Sequence, residues 1–209
     1  GFLFALDTAA LYLEHGGYQH ALVIGAETLS KMMDWTDRST CVLFGDGAGA
    51  AVLSASKEDG ILSMVQGSDG FRGDVLNCMA RKVNNPYKKS DTALSYVSMN
   101  GQEVYRFAVK TVPKAVTDAV EQAGLQLEEV DLFLLHQANY RIIEAVSKRL
   151  GQPMEKFPTN LEECGNISAA SVPILLDNVN NHGMMRKGMK IVLAGFGAGL
   201  TWGATVINW

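Results

Sequence analysis

The sequence lacks the features that mark several large classes of protein. Its three cysteines, Cys41, Cys78 and Cys164, lie far apart and form no CxxC pair. An odd number of scattered cysteines argues against a disulfide framework and against a zinc site, and it fits a reducing cytosol. No apolar run reaches the roughly 18 residues of a membrane-spanning helix. No positively charged segment precedes a short apolar one, as it would in an export signal.

Excess positive charge is also missing. The 18 Lys and Arg residues are outnumbered by 22 Asp and Glu, which gives a formal net charge of -4. Because nucleic-acid binding depends on neutralising phosphates with surplus Lys and Arg, this balance argues mildly against such a function. A chain of 209 residues that is 47% hydrophobic and 19% charged is typical of a globular protein with one large domain or two smaller ones.

The chain also begins without a methionine. Gly1-Phe2-Leu3-Phe4 opens directly into an apolar stretch, although natural N-termini are usually polar and frayed. A processed or artificially chosen terminus would explain this start. We favour the interpretation that further residues precede Gly1 in the natural protein.

Hydrophobic patterns predict strands that alternate with helices. Helical spacing of apolar residues predicts helices over residues 2–14, 104–123, 140–150 and 168–181. Short apolar runs predict strands over residues 21–24, 41–44, 49–53, 61–65, 130–135, 190–194 and 205–209. This alternation predicts an α/β fold with helices on the faces of the sheet and chemistry at the carboxyl ends of the strands.

Three other segments carry expectations of their own. We expect residues 21–24 to form an interior parallel strand and the glycine-rich residues 45–47 to form a tight turn between two strands. The polar residues 54–60 are the best internal boundary. The long polar stretch 69–100 suggests a surface excursion.

His136 is the first candidate for chemistry, because it directly follows the apolar run 132–135. A histidine at a strand end can be a general base, an electrophile or a metal ligand. A buried histidine with only a structural role is equally compatible with this position. No second histidine or carboxylate lies at ligand spacing, so a metal site is the weakest alternative.

Two loops of small residues are further candidates. Asn166 lies in a loop that enters a predicted helix, and its residues favour a simple N-cap over a ligand contact. The segment 196–199 (FGAG) is either a plain turn between strands or a turn that presents backbone N–H groups to a phosphate or an oxyanion. No helix follows this segment, so the dinucleotide-binding fingerprint is absent.

Charged and aromatic side chains suggest two binding surfaces. Arg141, Lys148 and Arg149 lie on the predicted helix after His136, where they form either a solvated face or a patch for an acidic partner. Trp35 and Arg38 are either an ordinary surface pair or a site that holds a nucleotide by stacking and phosphate contact.

Taken in order, these segments resemble β-ketoacyl-acyl-carrier-protein synthase III, the condensing enzyme that starts bacterial fatty-acid synthesis. The blocks that carry the resemblance are DWTDRST (34–40), FGDGAGA (44–50), HQAN (136–139), GNISAAS (165–171) and FGAGLTWG (196–203). The blocks span essentially the whole chain in the right order, which makes the match specific. The chain is similar to the C-terminal two-thirds of that enzyme.

The resemblance implies a fold and an active site. The fold would be α/β and thiolase-like, with five layers (α-β-α-β-α), and here with a truncated N-terminal half. Residues 1–56 would be the remainder of that half, and residues 57–209 the C-terminal half. The site would be a Cys-His-Asn triad in which His136 and Asn166 match two members. The family cysteine precedes a Gly-Phe pair by one residue, so the nucleophile would lie two residues before Gly1, and Cys164 is not expected to replace it.

The implied reaction transfers an acyl group, with acetyl as the favoured primer, from coenzyme A to the cysteine and then onto the carbon freed by decarboxylating malonyl-acyl-carrier protein. His136 and Asn166 would donate hydrogen bonds to the malonyl thioester oxygen, and the backbone N–H of Ala198 would help to hold an oxyanion. No cofactor is implied, because the coenzyme A thioester is a substrate.

The resemblance also assigns binding residues and partners. It places coenzyme A contacts at Arg38 and Asn139, and the acyl pocket near Tyr105. The carrier-protein patch consists of Arg141, Lys148 and Arg149. The expected protein is a cytoplasmic homodimer without nucleic-acid or membrane partners.

Two alternatives remain open. One is a related thiolase-fold starter acyltransferase of a polyketide-type pathway. The other is an inactive fragment that lacks the nucleophile and packs as a structural partner.

Overall fold

The computed structural model describes residues 1–58, 60–78, 85–89 and 96–209. Its α-helices are α1 (Phe2–Glu14), α2 (Arg38–Cys41), α3 (Gly101–Gln122), α4 (Tyr140–Leu150), α5 (Leu161–Cys164) and α6 (Ser171–Asn181). Its strands are β1 (His20–Thr28), β2 (Asp46–Ser54), β3 (Ile61–Ser68), β4 (Leu76–Cys78), β5 (Val97–Met99), β6 (Leu132–Leu135), β7 (Lys190–Gly197) and β8 (Thr201–Asn208). No helix among the described residues is both long enough and apolar enough to span a membrane.

A four-stranded sheet in the order β3-β8-β7-β6 is the centre of the molecule. Strand β6 runs parallel to β7, whereas β8 is antiparallel to both β7 and β3. All four residues of β6 are buried, because helices cover both faces of the sheet at this strand. Phe133 and Leu135 face one core, and Leu132 and Leu134 face the other, which explains the unbroken apolar run.

The elements stack in four layers. Helices α3 and α4 pack on one face of the sheet, and α1 and α6 pack on the other. The ribbon of β1 and β2 then covers the far side of α1 and α6. These are four consecutive layers of the expected five. An outer helical layer beyond β1 and β2 is not present in the part of the chain that the structure describes.

Most predicted elements are observed, but the pairing of β1 and the structure of residues 41–47 differ from the prediction. Strand β1 pairs antiparallel with β2, not parallel, and one face of this ribbon is exposed, with Leu22 61% and Val52 69% accessible. Residues 41–44 are not a strand, because Cys41 ends α2 and Phe44 forms only an isolated bridge with Asn166.

The glycines of β2 explain the error over residues 45–47. Asp46 and Gly47 lie inside a continuous strand, so there is no turn between strands here. A Cβ on Gly49 would lie 2.8 Å from the backbone nitrogen of Ile174, and one on Gly47 would lie 3.0 Å from Ile167 Cδ1. These glycines therefore allow β2 to approach the segment that carries α6. Glycine is needed equally for close packing and for turns, and the sequence alone does not distinguish the two uses.

The polar segments of the sequence also acquire structure. Between residues 69 and 100, the described part contains a 3-10 helix over Gly70–Val75 and the antiparallel ribbon of β4 and β5. The rest of this excursion, residues 79–84 and 90–95, lies outside the described residues. Strand β2 belongs to the two-stranded ribbon and β3 to the four-stranded sheet, so the chain passes from one sheet to the other between them. The division after residue 56 stays a prediction.

Candidate active site

A cavity of about 360 Å³ opens where β6 and β7 end. Its lining includes Gly1 at the start of α1, His136 directly after β6, Asn166 before α6, and Ala198 directly after β7. Segments that are distant in sequence therefore meet at one edge of the sheet, as expected for the carboxyl ends of strands in an α/β fold.

His136 is held rigidly by its backbone. Its N–H donates to the carbonyl of Ala194 at 2.7 Å, and its carbonyl accepts from the N–H of Ala138 at 3.0 Å. Its ring meets the edge of Phe196, with the ring centroids 5.4 Å apart. Burial is the main cause that lowers the pKa of His136 to about 4; the Gly1 amino group adds a smaller effect, which is lost where residues precede Gly1. The imidazole is therefore neutral at physiological pH and carries a single N–H donor.

Asn166 is fixed by both its backbone and its side chain. Its N–H donates to Leu43 at 2.9 Å, and its carbonyl accepts from the N–H of Gly45 at 2.9 Å. Its Oδ1 accepts from the backbone N–H of Ser168 at 2.9 Å. Because a backbone N–H can only donate, the atom that faces Ser168 must be the oxygen, which leaves Nδ2 as a donor for another group. Asn166 is not the N-cap of α6, since Ala170 occupies that position.

Ala198 occupies the short turn between β7 and β8. Strand β7 continues to Gly197, so the turn begins later than the predicted segment 196–199. The carbonyl of Ala198 accepts a hydrogen bond from Thr201 Oγ1 at 2.9 Å, which fixes the orientation of the turn beside the cavity. The arrangement is compatible with a backbone N–H donor at this position.

Gly1 marks the position where a nucleophile is expected. It precedes the first turn of α1, and its carbonyl accepts from the N–H of Ala5 at 3.0 Å. The N-terminal end of a 13-residue helix carries a partial positive charge that favours a thiolate. Of the three cysteines, only Cys78 lines the cavity, and it belongs to β4 and not to a helix start.

An apolar wall completes the cavity, and the sequence did not reveal it. Its side chains include Leu29, Phe44, Leu76, Val97 and Trp202. Phe44 and Trp202 belong to blocks that carry the resemblance, so the motifs offered a signal for them. Leu76 and Val97 lie in the long polar excursion, where no pattern distinguishes them as pocket residues.

The remaining predicted site residues lie outside the cavity lining. Arg38 is exposed at the start of α2, where the side chain of Asp37 accepts from the backbone N–H of Ser39. Asn139 is the N-cap of α4, and its Oδ1 accepts from the N–H of Arg141 at 2.9 Å. Tyr105 is 40% exposed on α3 and does not line the cavity.

The basic residues of α4 are all exposed. Lys148 forms an ion pair with Glu144 at 2.8 Å, which is the largest cause of the raised pKa of Lys148. Tyr105 adds a smaller electrostatic contribution to this shift. Arg141 and Arg149 form no ion pair among the described residues. The structure also shows no group of three potential metal ligands within the described ranges.

Comparison with known families gives two matches. Residues 1–70 match the family described as 3-oxoacyl-[acyl-carrier-protein (ACP)] synthase III, and residues 120–209 match the family described as its C-terminal part. A relative named β-ketoacyl-[acyl-carrier-protein] synthase III from Clostridium acetobutylicum is 49% identical over 210 residues. The match covers 100% of this chain and 65% of that relative, so the chain spans somewhat less than two-thirds of its length.

Solved structures agree with this result. The β-ketoacyl-[acyl carrier protein] synthase III from Thermus thermophilus superposes with a TM-score of 0.92 at 42% identity, over 100% of this chain and 65% of that one. The priming β-ketosynthase of the R1128 polyketide biosynthetic pathway superposes with a TM-score of 0.91 at 37% identity, over 99% of this chain and 62% of that one. The expected thiolase-like α/β fold is therefore confirmed.

Proposed function

Because this chain belongs to the 3-oxoacyl-[acyl-carrier-protein] synthase III family, we propose that it supplies the decarboxylating half of such an enzyme. The complete enzyme would condense an acyl-CoA primer, with acetyl-CoA favoured, with malonyl-acyl-carrier protein and so start fatty-acid synthesis. The observation that carries this proposal is that His136, Asn166, Ala198 and the start of α1 line one cavity.

The geometry suits the breaking of the malonyl carbon–carbon bond. When carbon dioxide leaves, the bonding electron pair moves toward the thioester and places negative charge on its oxygen. The N–H of the neutral His136 ring and the Nδ2–H of Asn166 would donate hydrogen bonds to that oxygen. Donors that are already fixed in place need no reorganisation as the charge develops, which lowers the barrier.

The next step forms a carbon–carbon bond and needs an acyl group beside the bound malonyl thioester. The carbon freed by decarboxylation would attack the acyl carbon of an acyl-cysteine, and the cysteine would leave as thiolate. The oxyanion formed on the way would be held by backbone N–H groups, one of them from Ala198. We place the cysteine two residues before Gly1, outside these 209 residues, where the positive end of α1 would lower the pKa of its thiol.

The cavity suits an apolar acyl group. Its wall is apolar at Leu29, Leu76 and Val97, and its volume among the described residues is about 360 Å³. Tyr105 does not line the cavity formed by these 209 residues, and we keep it as a residue near the acyl pocket of the complete enzyme.

Binding of the two substrates would use the exposed residues around the cavity. Arg38 and Asn139 would contact coenzyme A, and the face of α4 with Arg141, Lys148 and Arg149 would bind the acidic carrier protein. The enzyme would act as a homodimer in the cytoplasm. Its similarity to named synthases supports these assignments.

A second candidate is a starter acyltransferase of a polyketide-type pathway. The likeness to the R1128 priming β-ketosynthase favours it. Both enzymes would use the same residues for decarboxylation, so the acyl pocket would distinguish them. An inactive fragment that packs as a structural partner is the third possibility. It is tested by assaying the chain after the residues that precede Gly1 have been added.

We define the completed enzyme as this chain joined to the residues that precede the match in the Clostridium acetobutylicum relative. In it, His136→Ala and Asn166→Ala should each reduce carbon dioxide release from malonyl-acyl-carrier protein by about 100-fold or more, since each removes a donor to the developing charge. His182→Ala, at an exposed histidine after α6, is the matched control and should keep the parent rate. Parent-level release by His136→Ala would show that the role given to this residue is wrong.

A further inference from the structure

Gln137, the residue after His136, has a side chain in an unusual place. It is fully buried, with 0% of its surface accessible, although its amide group has two donor hydrogens and an acceptor oxygen. Its Nε2 donates to the carbonyl of Leu135 at 2.8 Å. Burying an amide costs free energy unless the amide is hydrogen-bonded. The hydrogen-bond partners of Gln137 therefore indicate which segments its side chain connects.

The second partner of Gln137 lies at the start of the segment that carries Asn166. Gln137 Oε1 accepts from the backbone N–H of Asn160 at 3.2 Å. The carbonyl of Asn160 in turn accepts from the N–H groups of Glu163 and Cys164, which forms the single turn of α5. This turn ends directly before Gly165 and Asn166.

Among the described residues, the bond from the Asn160 N–H to Gln137 is the only hydrogen bond that joins residues 136–139 to residues 160–166. The side-chain nitrogen of Asn160 is buried without a partner in the structure, so the backbone N–H carries the connection. The bridge between Phe44 and Asn166 fixes Asn166 against the chain before β2, but it does not fix Asn166 against His136.

We propose that Gln137 is a positioning residue that sets the Asn166 amide at its working distance from the His136 ring. It acts through Asn160 and α5, and it does not itself line the cavity. The proposal rests on the proposed function, in which both donors bind one thioester oxygen. Two donors that share one oxygen tolerate little displacement, since an error of about 1 Å in a reacting geometry can cost on the order of 100-fold in rate.

The proposal predicts that two half-reactions separate. In the completed enzyme, Gln137→Met keeps the volume but removes the acceptor for Asn160 and the donor to Leu135. Carbon dioxide release from malonyl-acyl-carrier protein should fall by about 10- to 100-fold. Transfer of labelled acetyl from acetyl-CoA to the cysteine should stay within about 2-fold of the parent, since that step does not use the two donors. The expected defect is in kcat for decarboxylation.

A matched control separates positioning from stability. Gln152 is also buried and its side chain is hydrogen-bonded to Glu128 and Lys156, but none of its hydrogen bonds reaches the 160–166 segment. Gln152→Met should therefore lose some stability and keep both half-reactions. Gln137→Glu, assayed at pH 6, retains an acceptor for Asn160 and should keep the parent ratio of decarboxylation to acetyl transfer, which tests the idea if Gln137→Met fails to fold.

Equal losses in both half-reactions for Gln137→Met, no loss in either, or a collapsed ratio in Gln137→Glu would overturn the positioning role. These outcomes are distinguishable from failure of the proposed function. If the function is wrong, the parent itself releases no carbon dioxide, or His136→Ala releases it at the parent rate. If only this inference is wrong, His136→Ala is impaired and Gln137→Met is not.

Discussion

At the scale of single residues, the proposed decarboxylation requires a neutral His136. Partial burial beside Phe196 disfavours the imidazolium and lowers the pKa to about 4. A neutral ring and a neutral amide place no full charge beside the malonyl carboxylate. A cation at this position would form an ion pair with the carboxylate and oppose the loss of carbon dioxide. The departure of carbon dioxide is therefore compatible with these two donors.

The lowered pKa of His136 predicts a pH-dependent stability. In the unfolded chain a histidine takes up a proton near pH 6.5, whereas folded His136 resists protonation down to about pH 4. The stabilising contribution is therefore fully present above pH 6.5 and is lost as the pH falls toward 4. In the completed enzyme, where Gly1 carries no amino charge, the parent should lose more unfolding free energy than its His136→Asn variant between these pH values, by at most about 3 kcal/mol.

Urea unfolding of both proteins at a series of pH values measures this difference. Parallel curves for the parent and the variant would show that His136 titrates normally in the folded protein.

Motifs identified His136 and Asn166 from the sequence, but not how their side chains are arranged. The residues alone favoured a cap for Asn166, and the structure shows its Oδ1 bound to Ser168 with Nδ2 left as a donor. The catalytic roles of both residues remain predictions. The position of Tyr105 in the sequence does not reveal whether its side chain reaches the cavity. The structure shows that it lies outside the cavity lining.

At the scale of elements, α1 joins the sheets and carries a buried charge. Asp7 is buried between α1 and the central sheet, where its carboxylate accepts from Thr205 Oγ1 at 2.9 Å and from the side-chain amide of Gln66. Burial raises the pKa of Asp7, because the two hydrogen bonds only partly replace the lost hydration. These bonds connect α1 to β8 and β3, the strands behind the cavity.

The raised pKa of Asp7 predicts the opposite pH trend. A carboxyl that holds its proton more tightly when folded contributes stability at low pH, and this contribution is lost as the pH rises through its folded-state pKa. Asp7→Asn removes this titration. Its unfolding free energy relative to the parent should therefore increase from pH 4 to pH 8, by about 1.4 kcal/mol for each unit of pKa shift.

Thermal unfolding of the completed enzyme and of Asp7→Asn at both pH values tests this expectation. If the unfolding free energy of Asp7→Asn relative to the parent decreased as the pH rose, the role given to the buried carboxyl would be contradicted.

Helices were easier to predict than the strands of the first half. The helix over 140–150 is observed with the same limits and ends at Gly151 in the left-handed conformation, as its sequence indicates. Residues 45–47 were misread because glycine serves both turns and close packing. The approach of Gly49 to Ile174, which no local pattern contains, decides between these uses.

At the scale of the whole molecule, the site exists only because distant segments meet. The cavity combines the start of α1, the ends of β6 and β7, the loop before α6 and the β4–β5 ribbon. The order of motifs predicted the fold and most of this assembly. The apolar wall at Leu76 and Val97 escaped prediction, since contact with the cavity arises from tertiary packing within a polar stretch.

The central claim is that these 209 residues hold the decarboxylation donors and that the nucleophile lies two residues before Gly1. The most direct test is transfer of labelled acetyl from acetyl-CoA into a β-ketoacyl product with malonyl-acyl-carrier protein. We expect product from the completed enzyme, and none from the 209-residue chain alone or from a completed enzyme in which the cysteine two residues before Gly1 is replaced by alanine. Product from either of the latter two, or none from a folded completed enzyme, would contradict the claim.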